Sequence, residues 1–410
     1  MTVKSEADRE TLERILAESR EIRGVSLWQD AWKRLRRNRT AMISLWCLLT
    51  LSLLALLTPL LPLQSPIDKD LDHRKFLPPG FSSVVMGSRP GLKFAEGTLT
   101  GELAEFNRSI EALRAELASA GPKKRPLIEA TIADRIDVEH PFNQMWNELG
   151  PVAWWMTEIR VAIFGDYAIP SLFGTDKLGR DLLARVFWGA RVSLIVGIVA
   201  TLVSLIIGVS YGAIAGYFGG NIDAAMMRLV DMLYSIPFIF VVIFLVTFLG
   251  EDSVKKKLDS VGIDQITIFY IVIGAIYWLT MSRVVRGQVM SLRHEQFIEA
   301  ARTVGASSWR IVFRHLVPNV LGVVIVYLTL TIPSVMLFEA FLSFLGLGVS
   351  PPDVSWGLLL NDGVEALSII KVFWWVVVFP GGALAATLFA LNFLGDGIRD
   401  ALDPRMKNRD

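Results

Sequence analysis

Cysteine is nearly missing from this chain. Cys47 is the only one in 410 residues, so no intrachain disulfide is available, and a lone thiol is no metal site. The histidines His73, His140, His294 and His315 show no zinc spacing such as HExxH. No GxxxxGK[ST] run occurs, so the chain lacks the phosphate cradle needed to hydrolyse ATP by itself. Net charge is only +1, which argues against a nucleic-acid partner reached through global charge. No cleavable signal peptide is visible, because Met1 to Asp30 is charged and polar and the first apolar run starts near Thr40. Charge is scarce overall, at 20% against about 25% in soluble domains.

What charge there is clusters and leaves long apolar tracts. A tract of about 20 apolar residues crosses the hydrocarbon core, and it must be helical to satisfy its own backbone. Six spans are predicted, over 40–62, 191–215, 228–249, 266–285, 320–345 and 372–395. The basic run Trp32-Lys33-Arg34-Leu35-Arg36-Arg37-Asn38-Arg39 precedes the first span and places that side in the cytoplasm. Both termini then lie inside. Arg283, Arg286, Arg293, Arg302, Arg310 and Arg314 fall inside too, as do Arg399, Arg405, Lys407 and Arg409, in independent agreement. Lys255, Lys256 and Lys257 fall outside and disagree, with Glu251, Asp252 and Asp259 beside them. The predicted organisation is an N-terminal cytoplasmic arm (1–39), a first span (40–62), an external insertion (63–170), a membrane core (171–395) and a cytoplasmic tail (396–410). In the arm, Leu12, Ile15, Leu16 and Ile22 sit loosely at helical spacing.

The insertion is too polar to span. Leu103, Phe106, Ile110, Leu113 and Leu117 recur at helical spacing, Gly121-Pro122 breaks the pattern, and Leu127 to Val138 reads as a second helix, so a helical hairpin is predicted. Trp146, Trp154 and Trp155 follow and suit packing at the outer membrane face; a contact with a binding protein is the alternative.

Two further features lie within the spans. Pro237 and Pro333 interrupt their helices and are candidate flex points. Gly208, Gly212 and Gly216 repeat at four-residue spacing, the pattern of close helix packing.

The cytoplasmic loop 290–318 carries the most information. Glu295 to Asn319 reads as two short helices broken at Gly305, which fits the left-handed position that ends a helix. Ser307 can cap the second helix, and Pro318 suits the first turn of the next span. Phe297, Ala301 and Val304 share one face, as do Trp309, Val312 and Phe313. Such a short amphipathic helix can dock in a groove of a soluble partner, or it can be an ordinary surface loop.

The run Glu299-Ala300-Ala301, Gly305, His315, Pro318, Asn319 resembles the coupling-loop pattern of binding-protein-dependent importer permeases. Phe173-Gly174-Thr175-Asp176-Lys177-Leu178-Gly179-Arg180-Asp181 with Arg185, then Phe344-Leu345-Gly346-Leu347-Gly348 and Ser355-Trp356-Gly357, and finally Asn392-Phe393-Leu394-Gly395-Asp396-Gly397, are similar to the DppC/OppC-like branch. The similarity covers 30–62 and 171–405 and leaves out most of 64–170.

The resemblance implies an all-α polytopic inner-membrane protein of the type I ABC importer permease kind, with six spans and an enlarged external loop. It implies a pore shared with a second homologous permease subunit, two ATP-binding subunits below, and a periplasmic substrate-binding protein delivering di- or oligopeptides. ATP would be used by those subunits, and this chain would bind no cofactor. Glu299, Ala300, Ala301, Gly305, Pro318 and Asn319 would contact an ATP-binding subunit.

Asp176, Arg180, Asp181 and Arg185 are expected to form ion pairs at the outer mouth, or alternatively to touch a binding protein. Glu339 lies within a span and is a candidate for the pore or for an arginine of the partner permease. Nickel-chelate or oligosaccharide cargo fits the same class. An ion-driven secondary transporter would show inverted repeats, and a membrane-embedded enzyme would need a catalytic cluster within the spans; neither is apparent.

Overall fold

The computed structural model describes residues 27–72, 74–80, 99–146, 149–249, 251–259, 265–349, 351, 353–367 and 371–402. The predicted arm residues Leu12, Ile15, Leu16 and Ile22, and the tail residues Arg405, Lys407 and Arg409, lie outside them. Among the described residues there is no strand, only an isolated bridge between Thr175 and Asp181.

The chain opens with α1 (Leu27–Arg37) and α2 (Arg39–Leu56), joined at Asn38, whose side chain accepts from the Ala41 amide at 3.2 Å. The insertion carries α3 (Leu99–Ser119), α4 (Arg125–Glu139), α5 (Pro141–Trp146) and α6 (Pro151–Phe164). The core follows: α7 (Leu182–Phe218), α8 (Gly220–Ser235), α9 (Phe238–Leu249), α10 (Asp252–Asp259), α11 (Gln265–Leu292), α12 (Gln296–Thr303), α13 (Ser308–Phe344), α14 (Trp356–Ala366) and α15 (Trp375–Leu402). Helices α2, α7, α13 and α15 are each long and apolar enough to cross a membrane, and α8 with α9 make a fifth candidate as one bent pair. The predicted span 266–285 falls on α11, and the predicted hairpin on α3 and α4.

Helix α7 organises the bundle. At 37 residues it is about 55 Å long. Its largest interface is with α11, along the glycine stripe. A methyl at Gly208, Gly212 or Gly216 would lie 2.6 Å from Met281 Cβ, 2.3 Å from the Ser282 carbonyl or 2.8 Å from the Arg286 carbonyl. Bare backbone lets the two helices touch, which lipid-embedded helices rely on because lipid supplies no hydrophobic drive between them. Helix α13 also packs on α7, α15 packs on α2, and α14 wedges between α13 and α15. Trp356 on α14 is buried and donates from its indole nitrogen to the Val186 carbonyl at 2.9 Å.

The interruption predicted at Pro237 is present: within the predicted span 228–249, α8 and α9 meet at 80° around Ile236-Pro237, where proline removes a helix donor. Two expectations are corrected. Pro333 does not interrupt its helix, since α13 runs through it. Trp146 is no surface belt residue; it is fully buried, with its ring 4.9 Å from that of Trp188 on α7. Only Trp155, 60% exposed, keeps a surface position. The insertion is tied to the chain that leaves α2, because buried Arg160 on α6 donates to the carbonyls of Leu61 and Leu63, both at 3.2 Å.

Candidate functional site

Two constellations sit at opposite ends of α7. At its C-terminal end lies an elbow formed by α12 and the start of α13. Helix α12 ends in a paired closure: the Ala306 amide bonds the Ala301 carbonyl at 3.0 Å and the Gly305 amide bonds the Arg302 carbonyl at 2.9 Å. This closure needs a left-handed residue, and Gly305 has φ +83°. Ser307 then caps α13, its hydroxyl accepting from the Arg310 amide at 3.4 Å. Sequence spacing had anticipated both features.

Anchoring of the elbow is apolar. Ile298, Ile311, Val312 and Leu316 are buried and pack with Val209 and Ala213 of α7 and Met281, Val285 and Val289 of α11. Arg293 donates to the Gly216 carbonyl at 3.2 Å. The other face is open. Glu299, Ala300, Gly305, Pro318 and Asn319 are exposed and Ala301 is half-buried. Around them Phe297, Val304, Trp309 and Phe313 expose apolar surface, Val304 to 88%. Trp309 and Phe313 stack at 5.8 Å and Trp309 meets Phe218 at 6.4 Å. The faces predicted by spacing are therefore split, with Val312 inward and its neighbours outward.

Pro318 stands in the first turn of the α-helical stretch Val317–Phe344, as its position predicts. Helix α13 runs without a break from Ser308, and the turn ahead of the proline, Ile311–Leu316, is widened, with the Val317 amide bonded to the Val312 carbonyl. Proline lacks the donor for the carbonyl four residues back and crowds it, and a widened turn is where that conflict is relieved.

At the other end, residues 174–181 form a compact turn with Gly174 and Gly179 both at φ +78°. A methyl on Gly179 would strike the Asp70 carbonyl at 2.0 Å. The turn aims Asp176 inward. Its carboxylate accepts from Arg180 Nε at 2.7 Å, from the Leu178 and Arg180 amides at 2.8 and 3.0 Å, and from Arg185. Arg180 and Arg185 both reach Asp362 Oδ2 at 3.3 Å, and Lys177 bridges Asp362 at 3.1 Å and Glu365 at 2.7 Å. Three cations thus meet three carboxylates, largely out of solvent. Burial works to raise the Asp176 carboxyl, but Arg185, Arg180 and the two amides outweigh it and hold the group below its ordinary value.

Sequence reading found Asp176, Arg180 and Arg185 and missed Asp362 and Glu365, which α14 brings across. Asp181 does not join this network. It caps α7, accepting from the Ala184 amide at 2.7 Å, and burial pushes its carboxyl up to about 6. Glu339 faces no pore within this chain. It has no exposed surface, and accepts from the hydroxyls of Ser343 at 2.8 Å and Ser193 at 3.3 Å. Ser193 also accepts from the Trp356 amide at 3.2 Å, so Glu339 and the serines lock α7, α13 and α14 together.

The chain is similar to known proteins. Residues 208–408 match the family described as binding-protein-dependent transport system inner membrane component, and residues 26–79 match the N-terminal TM domain of oligopeptide transport permease C. The oligopeptide transport system permease protein OppC of Escherichia coli (strain K12) is 38% identical over 401 residues, covering 98% of this chain and 98% of that protein. OppC of Haemophilus influenzae is 48% identical over 233 residues, covering 57% of this chain and 70% of that one. The dipeptide permease protein DppC of Bacillus subtilis (strain 168) is 43% identical over 235 residues, covering 57% and 69%. A solved chain of the MetNI methionine ABC transporter overlaps 52% of this chain and 94% of its own length, at 19% identity and a TM-score of 0.39.

Proposed function

Because this chain belongs to the binding-protein-dependent transport inner-membrane component family, a family of multi-pass inner-membrane permeases, we propose that it forms half of the pore of an ATP-driven peptide importer and is driven through its elbow. In this reading a second permease subunit completes the pore, two ATP-binding subunits dock below, and a periplasmic binding protein delivers di- or oligopeptides. Peptide cargo is supported by the oligopeptide and dipeptide permeases among its relatives.

The observation that carries the reading is the split character of the elbow. Its inner face is bolted to α7 and α11 by Ile298, Ile311, Val312 and Leu316. Its outer face presents Glu299, Ala300, Val304, Trp309 and Phe313 to a partner. A short helix bolted on one side and apolar on the other suits a groove in a soluble subunit. Movement of that subunit would then be passed to the two longest-packed helices rather than lost in a loop. ATP binding need only favour one arrangement of the bundle over another. The positive-inside rule supports cytoplasmic chain ends and elbow, and a periplasmic Asp176 cluster.

Gly305 gives the test. No atom lies within 4 Å of a methyl built there, so a substitution strains only the backbone. Gly305→Val must hold a β-branched residue at φ +83°, whereas Gly305→Asn tolerates that region. The expected result is that Gly305→Val inserts normally but loses peptide uptake and copurification of the ATP-binding subunits, while Gly305→Asn keeps both. Full uptake by Gly305→Val would remove the elbow from the coupling path.

A further inference from the structure

A second polar surface lies away from both ends of α7, on helices α8, α11 and α13. Tyr234 on α8 hydrogen-bonds Thr280 on α11 through their hydroxyls. Thr280 also lies beside the phenol of Tyr327 on α13. Tyr277, one turn before Thr280, donates to the Ser334 carbonyl of α13 at 3.1 Å. One turn the other way, Arg283 pairs with Asp231 at 2.6 Å and lies 4.3 Å above the Tyr234 ring. Tyr234, Ser334, Asp231 and Arg283 are exposed, and Tyr277, Thr280 and Tyr327 are partly so.

Other exposed faces of the bundle are apolar. Phe240, Phe244 and Phe248 stand out from α9, Ile195, Ile198, Leu202 and Ile206 from α7, and Ile43, Leu49 and Leu53 from α2. Those faces suit hydrocarbon. Phenols and a threonine within predicted spans do not, and such groups sit against water or protein instead.

We propose that Tyr234, Tyr277, Thr280 and Tyr327 line the wet translocation path and touch the main chain of the peptide in transit. This rests on the permease reading and extends it by naming the wall. Phenol and threonine hydroxyls both donate and accept, so they can satisfy peptide amides of any sequence in turn. Their rings supply flat apolar area for varied side chains. Asp231 and Arg283 cancel, so the wall selects neither acidic nor basic cargo. A wall of this composition discriminates by backbone and leaves side-chain choice to other components.

The test uses the whole importer, with permease partner and ATP-binding subunits, in proteoliposomes. Cys47→Ser clears the background, and single cysteines replace Thr280, Ser334 or, as a control, Phe244. A charged, water-borne thiol reagent needs a thiolate, which forms in water and not in lipid, so Thr280→Cys and Ser334→Cys should react at least about tenfold faster than Phe244→Cys. Saturating oligopeptide should slow the first two and leave the control alone. Equal rates at Thr280→Cys and Phe244→Cys in an importer that still moves peptide would overturn the wall while leaving the permease reading intact. So would fast labelling that appears only when the partner permease is omitted, because the surface would then be a subunit joint. Absence of peptide uptake by the Cys47→Ser parent would instead count against the permease reading, and peptide-protected labelling at Thr280→Cys together with uptake supports both.

Discussion

Gly212 is the position where the packing argument is most exposed to refutation. A methyl there would sit 2.3 Å from the Ser282 carbonyl oxygen, 3.0 Å from the Ser282 carbonyl carbon and 3.0 Å from the Arg286 amide nitrogen. Ordinary contact starts at 3.4 Å, so Gly212→Ala is roughly an ångström too close to atoms that belong to backbone and cannot rotate away. Helices α7 and α11 must part locally. Overpacking of this kind costs about 1–3 kcal/mol, against which the better helix propensity of alanine returns somewhat under 1 kcal/mol. The separation also pulls on the two-point Arg286–Asp223 pair, whose Nη2 to Oδ2 distance is 2.6 Å, since Arg286 is part of the crowded segment. Gly287, on the same α11, offers the matched control, because a methyl there meets nothing within 4 Å. Thermal unfolding of the detergent-solubilised chain should rank Gly212→Ala below wild type and Gly287→Ala at or slightly above it. If Gly212→Ala proves as stable as Gly287→Ala, the close approach of α7 and α11 is wrong.

Three further outcomes are expected. Asp176→Asn strands two buried guanidinia on Asp362 alone, a loss of about 3–5 kcal/mol in unfolding free energy that a paired Asp176→Leu, Arg185→Met exchange should largely recover. Because Asp176 is held below its ordinary value, its contribution is present above the unfolded pKa and disappears as pH falls through the folded one, so Asp176→Asn should also flatten the acid limb of a pH–stability series. Burial among Phe106, Phe142 and Trp154 lowers His140 to about 4; this stability is present above 6.5 and is lost as pH falls toward 4. Acid-accelerated proteolysis of the α3–α4 hairpin should therefore be seen in wild type and be absent in His140→Phe. On the elbow, Trp309→Ala should leave the unfolding midpoint unchanged but weaken retention of the ATP-binding subunits on a column. Ile298→Ala, which opens a hole under α12, should lower the unfolding free energy by about 2–5 kcal/mol.

The fold was legible where one physical signal dominates. Twenty apolar residues have few alternatives in a membrane, so α2, α7, α13 and α15 fall where hydropathy predicts them. Their ends were less legible. The run up to residue 191 contains Arg185 and Arg191 and reads as polar, yet α7 starts at Leu182, because Asp176 and Asp362 neutralise Arg185. Hydropathy counts a charge as a cost and has no access to the partner that offsets it. Continuity was misjudged at Pro333, though not at Pro237, for a related reason. Pro237 and Pro333 carry the same local signal, and only the neighbours decide that α8 and α9 part at 80° while α13 passes through. The contact of Trp146 with Trp188 joins the insertion to α7 across more than forty residues, and no local pattern records it.

The elbow and the Asp176 cluster were legible to different depths because their determinants differ in range. At the elbow the chemistry is local: a glycine at the left-handed position, a serine two residues later, and apolar residues one turn apart fix its shape from within some twenty residues of chain. What spacing could not decide was which apolar face turns inward, since Ile298 and Phe297 are equally apolar and only the approach of α7 and α11 buries the first and exposes the second. The cluster is a long-range object. Its cations come from residues 177–185, but its second acceptor, Asp362, comes from α14, about 180 residues later. A sequence reading assigns four charges to one turn and pairs them among themselves. Two buried guanidinia carry twice the charge of one carboxylate, so the count alone demands another acid, and Asp181 caps α7 instead. The same reasoning places Glu339. A carboxyl with no cation beside it looks like a functional group in a one-dimensional reading, but Ser193 and Ser343 stand within reach and Ser355 bonds Ser343 at 3.4 Å. Hydroxyls recruited from three helices satisfy it without any partner subunit, and that makes Glu339 a fastener of the fold.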